Sequence, residues 1–327
     1  MGNIRRIDPH VHCRDGVESY KSTIARVFEI ADSQGVGIIF DMPNTSPPLL
    51  TGGAVAQRMS LVPRERRNSY FVWMGMTSDP NQIELAVRSY DNNFKIVGFK
   101  LYAGPSTRNL EVAGLEHQKK VYETLARCGY QGVLAVHCER KDLLRPELWT
   151  PSNPMSHSWA RPKEAEIKGV EDQIRIAKEI GFEGNLHIVH VSCPESVSLV
   201  KQAKLQGMRI TCEVAPHHLM YSVEIQRGQR AGSIWKMNPP LRDLETVKAL
   251  QACLLIGEID WLATDHAPHS LDEKLSDSPP SGFPSLCIYR ETVEDFLPAI
   301  DVFPDFIQRM TFDNIVEVFG DRIGGAL

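Results

Sequence analysis

The chain lacks any apolar run approaching the ~18 residues that a membrane-spanning helix needs. Its first residues, MGNIRRIDPHVH, contain no apolar core of a secretory leader. Both absences predict a cytoplasmic protein with no membrane partner. No basic run stands out, and the formal net charge is −5, so nothing points to nucleic acid. No CxxC occurs, and the seven cysteines are odd in number and widely spaced, which predicts reduced thiols rather than a disulfide framework. Cys13, Cys138 and Cys193 lie near candidate metal ligands, but small buried thiols are more often packing residues. No GxGxxG follows the first strand and no Walker motif is present, so the usual nucleotide signatures of an open doubly wound sheet are missing. Repeats, low-complexity tracts and linkers are absent too. A single domain over residues 1–327 is therefore expected, with long Pro- and Ser-rich loops at 146–162 and 276–285.

What is present is a regular alternation. Short β-rich apolar runs occur at 4–8, 36–42, 70–76, 95–102, 132–137, 185–191, 208–214 and 260–264. Segments with helical period lie between most of them, for example 20–34, 116–128, 164–180 and 194–206. Gly35, Gly129, Gly181 and Gly207 follow these four segments, where a helix C-terminal glycine is expected. Eight strands alternating with helices over some 265 residues predict an α/β fold, a (β/α)8 barrel with a parallel sheet.

In such a barrel the chemistry sits at the C-terminal ends of the strands. Strand 1 ends in DPHVHCRD, and His10 and His12, two apart, point to one side of an extended strand. Strand 4 ends in FKLYAG, strand 5 in AVHCER and strand 8 in ATDHAPH, while strand 6 contains LHIVHVS. His10, His12, Lys100, His137, His190 and Asp265 thus gather at one rim. Imidazole and carboxylate donors together suit Zn²⁺ and similar ions. Strand 6 also offers His187, three residues before His190 and so on the opposite face of a continuous strand; it reads as a packed outer residue. Lys100 lies between Phe99 and Leu101 in an apolar run. On local grounds it is a snorkelling edge residue, and only its company at the rim argues otherwise.

Taken in order, DPHVHCRDG, DMPNT, FKLYAG, VHCER, RPKEAE, HIVHVSCPESV, CEVAPHHL, KMNPPLR and ATDHAPHS resemble the dihydroorotases of the amidohydrolase superfamily over nearly the whole length. The resemblance implies a metal-dependent hydrolase on a (β/α)8 barrel. His10, His12 and Asp265 would hold one divalent ion, with Zn²⁺ the expected metal, and His137 and His190 a second. Lys100, carboxylated on its amine, would bridge them. That modification would turn a buried cation into an anion facing two metal ions, which removes the objection to its burial. Asp265 would carry the catalytic proton. The implied reaction is the reversible, metal-dependent cyclisation of N-carbamoyl-L-aspartate to L-dihydroorotate and water in pyrimidine biosynthesis.

Arg14 resembles the family arginine that grips the substrate carboxylate, a task suited to a planar guanidinium; alone it would read as a solvated charge or a partner of Asp15. Asn44, Asn238, His269 and Gly282 match further substrate positions. Hydantoinases and allantoinases share the metal set but, as families, not the arginine, so an anionic ring is favoured over those alternatives. Another alternative is a non-catalytic partner of an aspartate transcarbamoylase, although all six ligands are in place. His217 and His218 match no ligand position. The family's small β-sandwich is expected to be absent or reduced, and its proline after Arg-Asp is replaced in HCRDGVES. A homodimer is compatible with the resemblance. Residues 266–284 read as a mobile cover whose ordering would exclude water during ring closure.

Overall fold

The computed structural model describes residues 6–105, 110–227 and 230–327. Eight strands form one sheet in sequence order: β1 (Arg6–Val11), β2 (Val36–Asp41), β3 (Tyr70–Gly75), β4 (Ile96–Tyr102), β5 (Val133–His137), β6 (Asn185–Ile188), β7 (Ile210–Val214) and β8 (Trp261–Leu262). Each neighbouring pair runs parallel. The first predicted strand began at Ile4; Ile4 and Arg5 lie outside the described residues. Among the described residues no helix is long and apolar enough to cross a membrane.

The sheet closes through unusual links. β8 has only two residues, and the links described between its end and β1 are side-chain hydrogen bonds and one isolated bridge. Asp8 accepts from the Thr264 N–H at 3.0 Å and its hydroxyl at 2.5 Å, while His12 N–H donates to His266 O at 2.8 Å beside a parallel bridge from Val11 to His266. Asp8 is fully buried; burial, partly opposed by these hydrogen bonds, raises its pKa to about 7.

Alternation along the strands sorts the core into two layers. Leu134, Val136, Leu186, Ile188, Cys212 and Val214 pack with the surrounding helices, among them Leu115–Arg127, Lys163–Ile180 and Pro194–Leu205. Ile38, Phe40, Phe71, Trp73, Val133, Ala135 and Trp261 point inward. The helix Asn314–Ile323, not anticipated from sequence, inserts Ile315, Phe319 and Ile323 into that inner cluster. Phe319 meets Phe40, Trp73 and Trp261 with ring centres 5.2, 5.6 and 6.0 Å apart. One half of the barrel interior is therefore an aromatic plug, and polar residues occupy the other. The helix-ending glycines behave as expected: Gly35, Gly129, Gly181 and Gly207 have φ of +74°, +66°, +68° and +83°.

Gly98 makes room for the plug. A Cβ there would lie 2.6 Å from Val133 O and 2.8 Å from the Trp73 ring. Gly98→Ala should lower the unfolding free energy by about 1–3 kcal/mol, read as a lower denaturant midpoint at unchanged slope. An unchanged midpoint would contradict this packing.

Candidate metal centre

His10 and His12 arrive from β1 with their Nδ1 atoms already committed. His10 Nδ1 lies 2.5 Å from Glu213 Oε1, and His12 Nδ1 lies 2.6 Å from Asn44 Oδ1. Both acceptors favour an Nδ1–H, which turns each Nε2 toward the site. Those Nε2 atoms converge on Asp265 Oδ1, at 3.2 Å from His10 and 2.9 Å from His12. The three donors lie within 4.8 Å of one another. Asp265 is buried, and burial alone would raise its pKa; His10 and His12 outweigh that effect and hold the carboxyl well below its usual range.

The other half of the rim continues this row. Ring centres step from His12 to His10 (5.4 Å), to His190 (5.4 Å) and to His137 (4.9 Å). His137 Nδ1 faces His190 Nε2 at 3.1 Å. His137 Nε2 is 3.0 Å from Glu139 Oε2, and Glu139 is gripped by Arg161, whose Nε donates to both carboxylate oxygens at 3.0 and 3.1 Å. Lys100 is 1% exposed, and its Nζ has no hydrogen-bond partner among the described residues. Its ammonium lies 5.3 Å from the Tyr102 ring centre. Burial lowers its pKa to about 8 even though Glu213 and Asp265 act to raise it. Burial, reinforced by His137 and Lys100, also pushes His190 well below its ordinary value. Four imidazoles, a carboxylate and a buried amine with no hydrogen-bond partner among the described residues form a donor set that fits divalent cations.

All six residues line one cavity together with Arg14, Asn44, Asn238 and Gly282. His269 does not line it, but its Nε2 lies 3.2 Å from an Arg14 terminal nitrogen. Arg14 also donates from Nε to Pro268 O at 3.1 Å and is buried. Asp15, the alternative partner weighed for Arg14, accepts from the backbone N–H groups of Gly16 and Ile24 at 2.8 and 2.9 Å. Asn238 Oδ1 accepts from His157 Nε2 at 2.9 Å and from Ser281 Oγ at 3.0 Å. Three of the five non-glycine residues with positive φ among the described residues line the site, Arg14 (61°), His190 (38°) and Asp265 (49°), and a fourth, Asp15 (81°), follows Arg14 directly. Such conformations cost on the order of 1–3 kcal/mol each and persist where surrounding contacts enforce them.

Two expectations need correction. β6 ends at Ile188, so His190 reaches the rim through a left-handed turn and not by strand alternation. His187 is not an outer residue. It points inward, stacks on Trp261 at 4.4 Å and lies 3.0 Å from both Thr211 Oγ1 and Glu213 Oε2. Leu186 and Ile188 take the outer positions beside it. The sequence reading also missed Glu213, which binds His10, His187 and Trp261 Nε1 and accepts from His190 N–H. It sits two residues before the noted APHH; a carboxylate inside CEV on a buried strand was the available signal. Glu139, Tyr102 and Ser281 were likewise missed, although each adjoins a recognised motif. His217 is fully buried with neither ring nitrogen hydrogen-bonded among the described residues, and burial lowers its pKa to about 4. Cys13 and Cys138 lie in the outer apolar core, as expected of packing residues, whereas the buried Cys193 thiol lies 3.4 Å from Glu166 Oε1 and 3.3 Å from Ser196 Oγ.

A larger cavity, about 1250 Å³, opens at the other end of the barrel beside Asn185, Ile210 and Trp261. Its lining contains no histidine. Size alone therefore does not mark the reactive end; the convergence of donors does.

No protein-family profile matches the chain. A dihydroorotase of Halobacterium salinarum is 30% identical over 323 residues, spanning 96% of this chain and 71% of its own length. One from Aeropyrum pernix is 34% identical over 283 residues, 86% of this chain and 61% of its own. One from Fusobacterium nucleatum is 26% identical over 325 residues, 96% and 72%. The chain thus spans between 61% and 72% of the length of these curated relatives. Among solved structures, L-hydantoinase from Arthrobacter aurescens superposes with a TM-score of 0.83 at 22% identity, covering 96% of this chain and 70% of that one. Dihydropyrimidinase from Brevibacillus agri gives 0.82 at 21% identity, with the same coverage. At these identities the likeness establishes the barrel fold.

A lysine shifted to about 8 is about half neutral at pH 8, whereas one at the usual ~10.4 is under ~1% neutral. In metal-stripped protein carrying ¹³Cε-lysine, the Lys100 resonance should titrate near pH 8. A midpoint with the surface lysines above pH 10 would contradict the burial described.

Proposed function

The chain belongs to the dihydroorotase family, and on that footing we propose that it interconverts N-carbamoyl-L-aspartate with L-dihydroorotate and water. The observation that carries the reading is a buried Arg14 at the edge of the His10, His12 and Asp265 cluster, where a substrate carboxylate would meet a fixed guanidinium. Two divalent ions, Zn²⁺ in this reading, held by His10, His12 and Asp265 and by His137 and His190 with a carboxylated Lys100 between them, would supply Lewis acidity toward the amide carbonyl.

The chain's own groups do the rest. Asn44 and Glu213 fix the tautomers of His12 and His10, so both rings present Nε2 without reorganisation. Lys100, partly neutral near pH 8, can attack CO₂; the new N–C bond gives a carbamate and a proton leaves to solvent. Arg14 and His269, already in contact, bind and orient the carboxylate. Asn238 and the Gly282 backbone flank the ring. Asp265, kept ionised, accepts the proton of the attacking ureido nitrogen as the N–C bond forms; that proton and one taken up from solvent pass to the carboxylate oxygen whose C–O bond breaks, and it leaves as water. In the hydrolytic direction the same carboxyl returns the proton to the leaving nitrogen.

A neutral hydantoin-like ring is the competing substrate, and it would offer the Arg14 guanidinium no carboxylate. Metal-loaded protein should turn over dihydroorotate in preference to neutral hydantoins; no turnover of dihydroorotate would reject the proposal. Arg14→Ala should raise KM for dihydroorotate about 10- to 100-fold, the worth of a charge-assisted contact of about 1.5–3 kcal/mol. Lys100→Ala should lose at least one metal ion per chain by elemental analysis. Wild-type protein, prepared without chelators, holding well under one metal ion per chain would favour the non-catalytic role instead.

A further inference from the structure

The segment that follows β8 crosses the site and contains one helical turn, Leu271–Lys274, closed at its start by a capping box between Ser270 and Glu273. Its last residue is unusual. Lys274 is 5% exposed, and its Nζ lies 2.8 Å from Lys236 O, 3.0 Å from Pro280 O and 2.8 Å from Gly282 O. An ammonium has three N–H donors in tetrahedral array, and all three are used here on main-chain carbonyls. Two of these carbonyls belong to the covering segment. The third belongs to the loop that carries Asn238.

Further links join the same two pieces of chain. Gly282 N–H donates to Lys236 O at 2.9 Å, Lys236 Nζ to Pro279 O at 2.7 Å, and Ser281 Oγ to Asn238 Oδ1 at 3.0 Å. Gly282 has φ +145°, and a Cβ on it would lie 2.6 Å from Ala267 O and 2.9 Å from the His269 ring. The roof is thus packed against the main chain with no slack at Gly282. On the other flank, Glu273 Oε2 lies 3.3 Å from His269 Nδ1, and Glu273 Oε1 accepts from Tyr20 Oη at 2.8 Å. One helical turn therefore supports both groups of substrate positions, Arg14 with His269 and Asn238 with Gly282.

We propose that Lys274 is a positioning residue: its three hydrogen bonds tie the segment after β8 to the Lys236–Asn238 loop and so set the roof under which the substrate ring binds. The role in substrate binding rests on the dihydroorotate reading; the tie itself does not. Methionine keeps the length and volume of the lysine stem and removes all three donors. In metal-loaded full-length Lys274→Met, without substrate, hydrogen exchange at the Gly282 amide should accelerate at least tenfold. KM for dihydroorotate should rise at least tenfold, kcat should fall by a smaller factor, and metal content should match wild type. Lys274→Arg, whose planar fork cannot reproduce three tetrahedral donors, should fall between the two. Wild-type exchange at Gly282 together with an unchanged KM would overturn the proposal, and so would a loss of metal in parallel with activity, which marks general structural damage. If the methionine variant does not fold, Lys274→Leu, which also has no donor, carries the same comparison. If wild-type protein does not act on dihydroorotate, the substrate reading fails, while the exchange measurement still decides the tie.

Discussion

An amine sealed in the interior of a barrel, with no hydrogen-bond partner among the described residues, is the constraint around which this molecule is arranged. A charged Lys100 in that position would be costly, and nothing in the hydrogen bonding among the described residues offsets it. What surrounds it is organised charge. Glu213 and Asp265 both act on the lysine, yet both are already engaged by imidazoles: Glu213 by His10 and His187, Asp265 by His10 and His12. The fold thus engages both acids with imidazoles and leaves the Lys100 nitrogen without a hydrogen-bond partner among the described residues. Divalent cations would satisfy such a set, and a carboxylated lysine would satisfy it better than an ammonium.

The division of the barrel interior follows from that arrangement. Phe319, Phe40, Trp73 and Trp261 fill one half with interlocked rings. His187 and Glu213 mark the boundary, since His187 stacks on Trp261 below and Glu213 reaches His10 above. Packing at the closed end holds the strands, and the strands hold the histidines. The strained residues Arg14, Asp15, His190 and Asp265 all lie on the polar side, where turns leave the strand ends. Backbone that would relax in isolation is fixed there by neighbours, for example Asp15 binding the amides of Gly16 and Ile24.

The strand spacing, the helix-ending glycines and the six rim residues were legible in the sequence, because each depends on local pattern or on position at a strand end. Glu213 was not, because its role comes from a neighbour distant in sequence, His10, 203 residues away; Glu139 and Tyr102, two residues after His137 and Lys100, carry no signal of their own beside those ligands. The inward turn of His187 was hidden for another reason. Alternation gives the relative sides of His187 and His190 only if the strand continues, and it stops at Ile188. The plug helix Asn314–Ile323 carries an amphipathic pattern like any surface helix, and nothing in it announces that its apolar face enters a barrel. The support supplied by Lys274 was equally silent, since EKL in a polar loop reads as solvated charge.

The central claim is that Lys100 is a modified bridge between two metal ions. Diffraction data collected above and below the zinc absorption edge, from crystals grown without chelators, test it most directly. The account predicts two anomalous peaks, one beside His10, His12 and Asp265 and one beside His137 and His190, with planar density extending from Lys100 Nζ between them. An unextended lysine side chain with no anomalous peak on either side would contradict it.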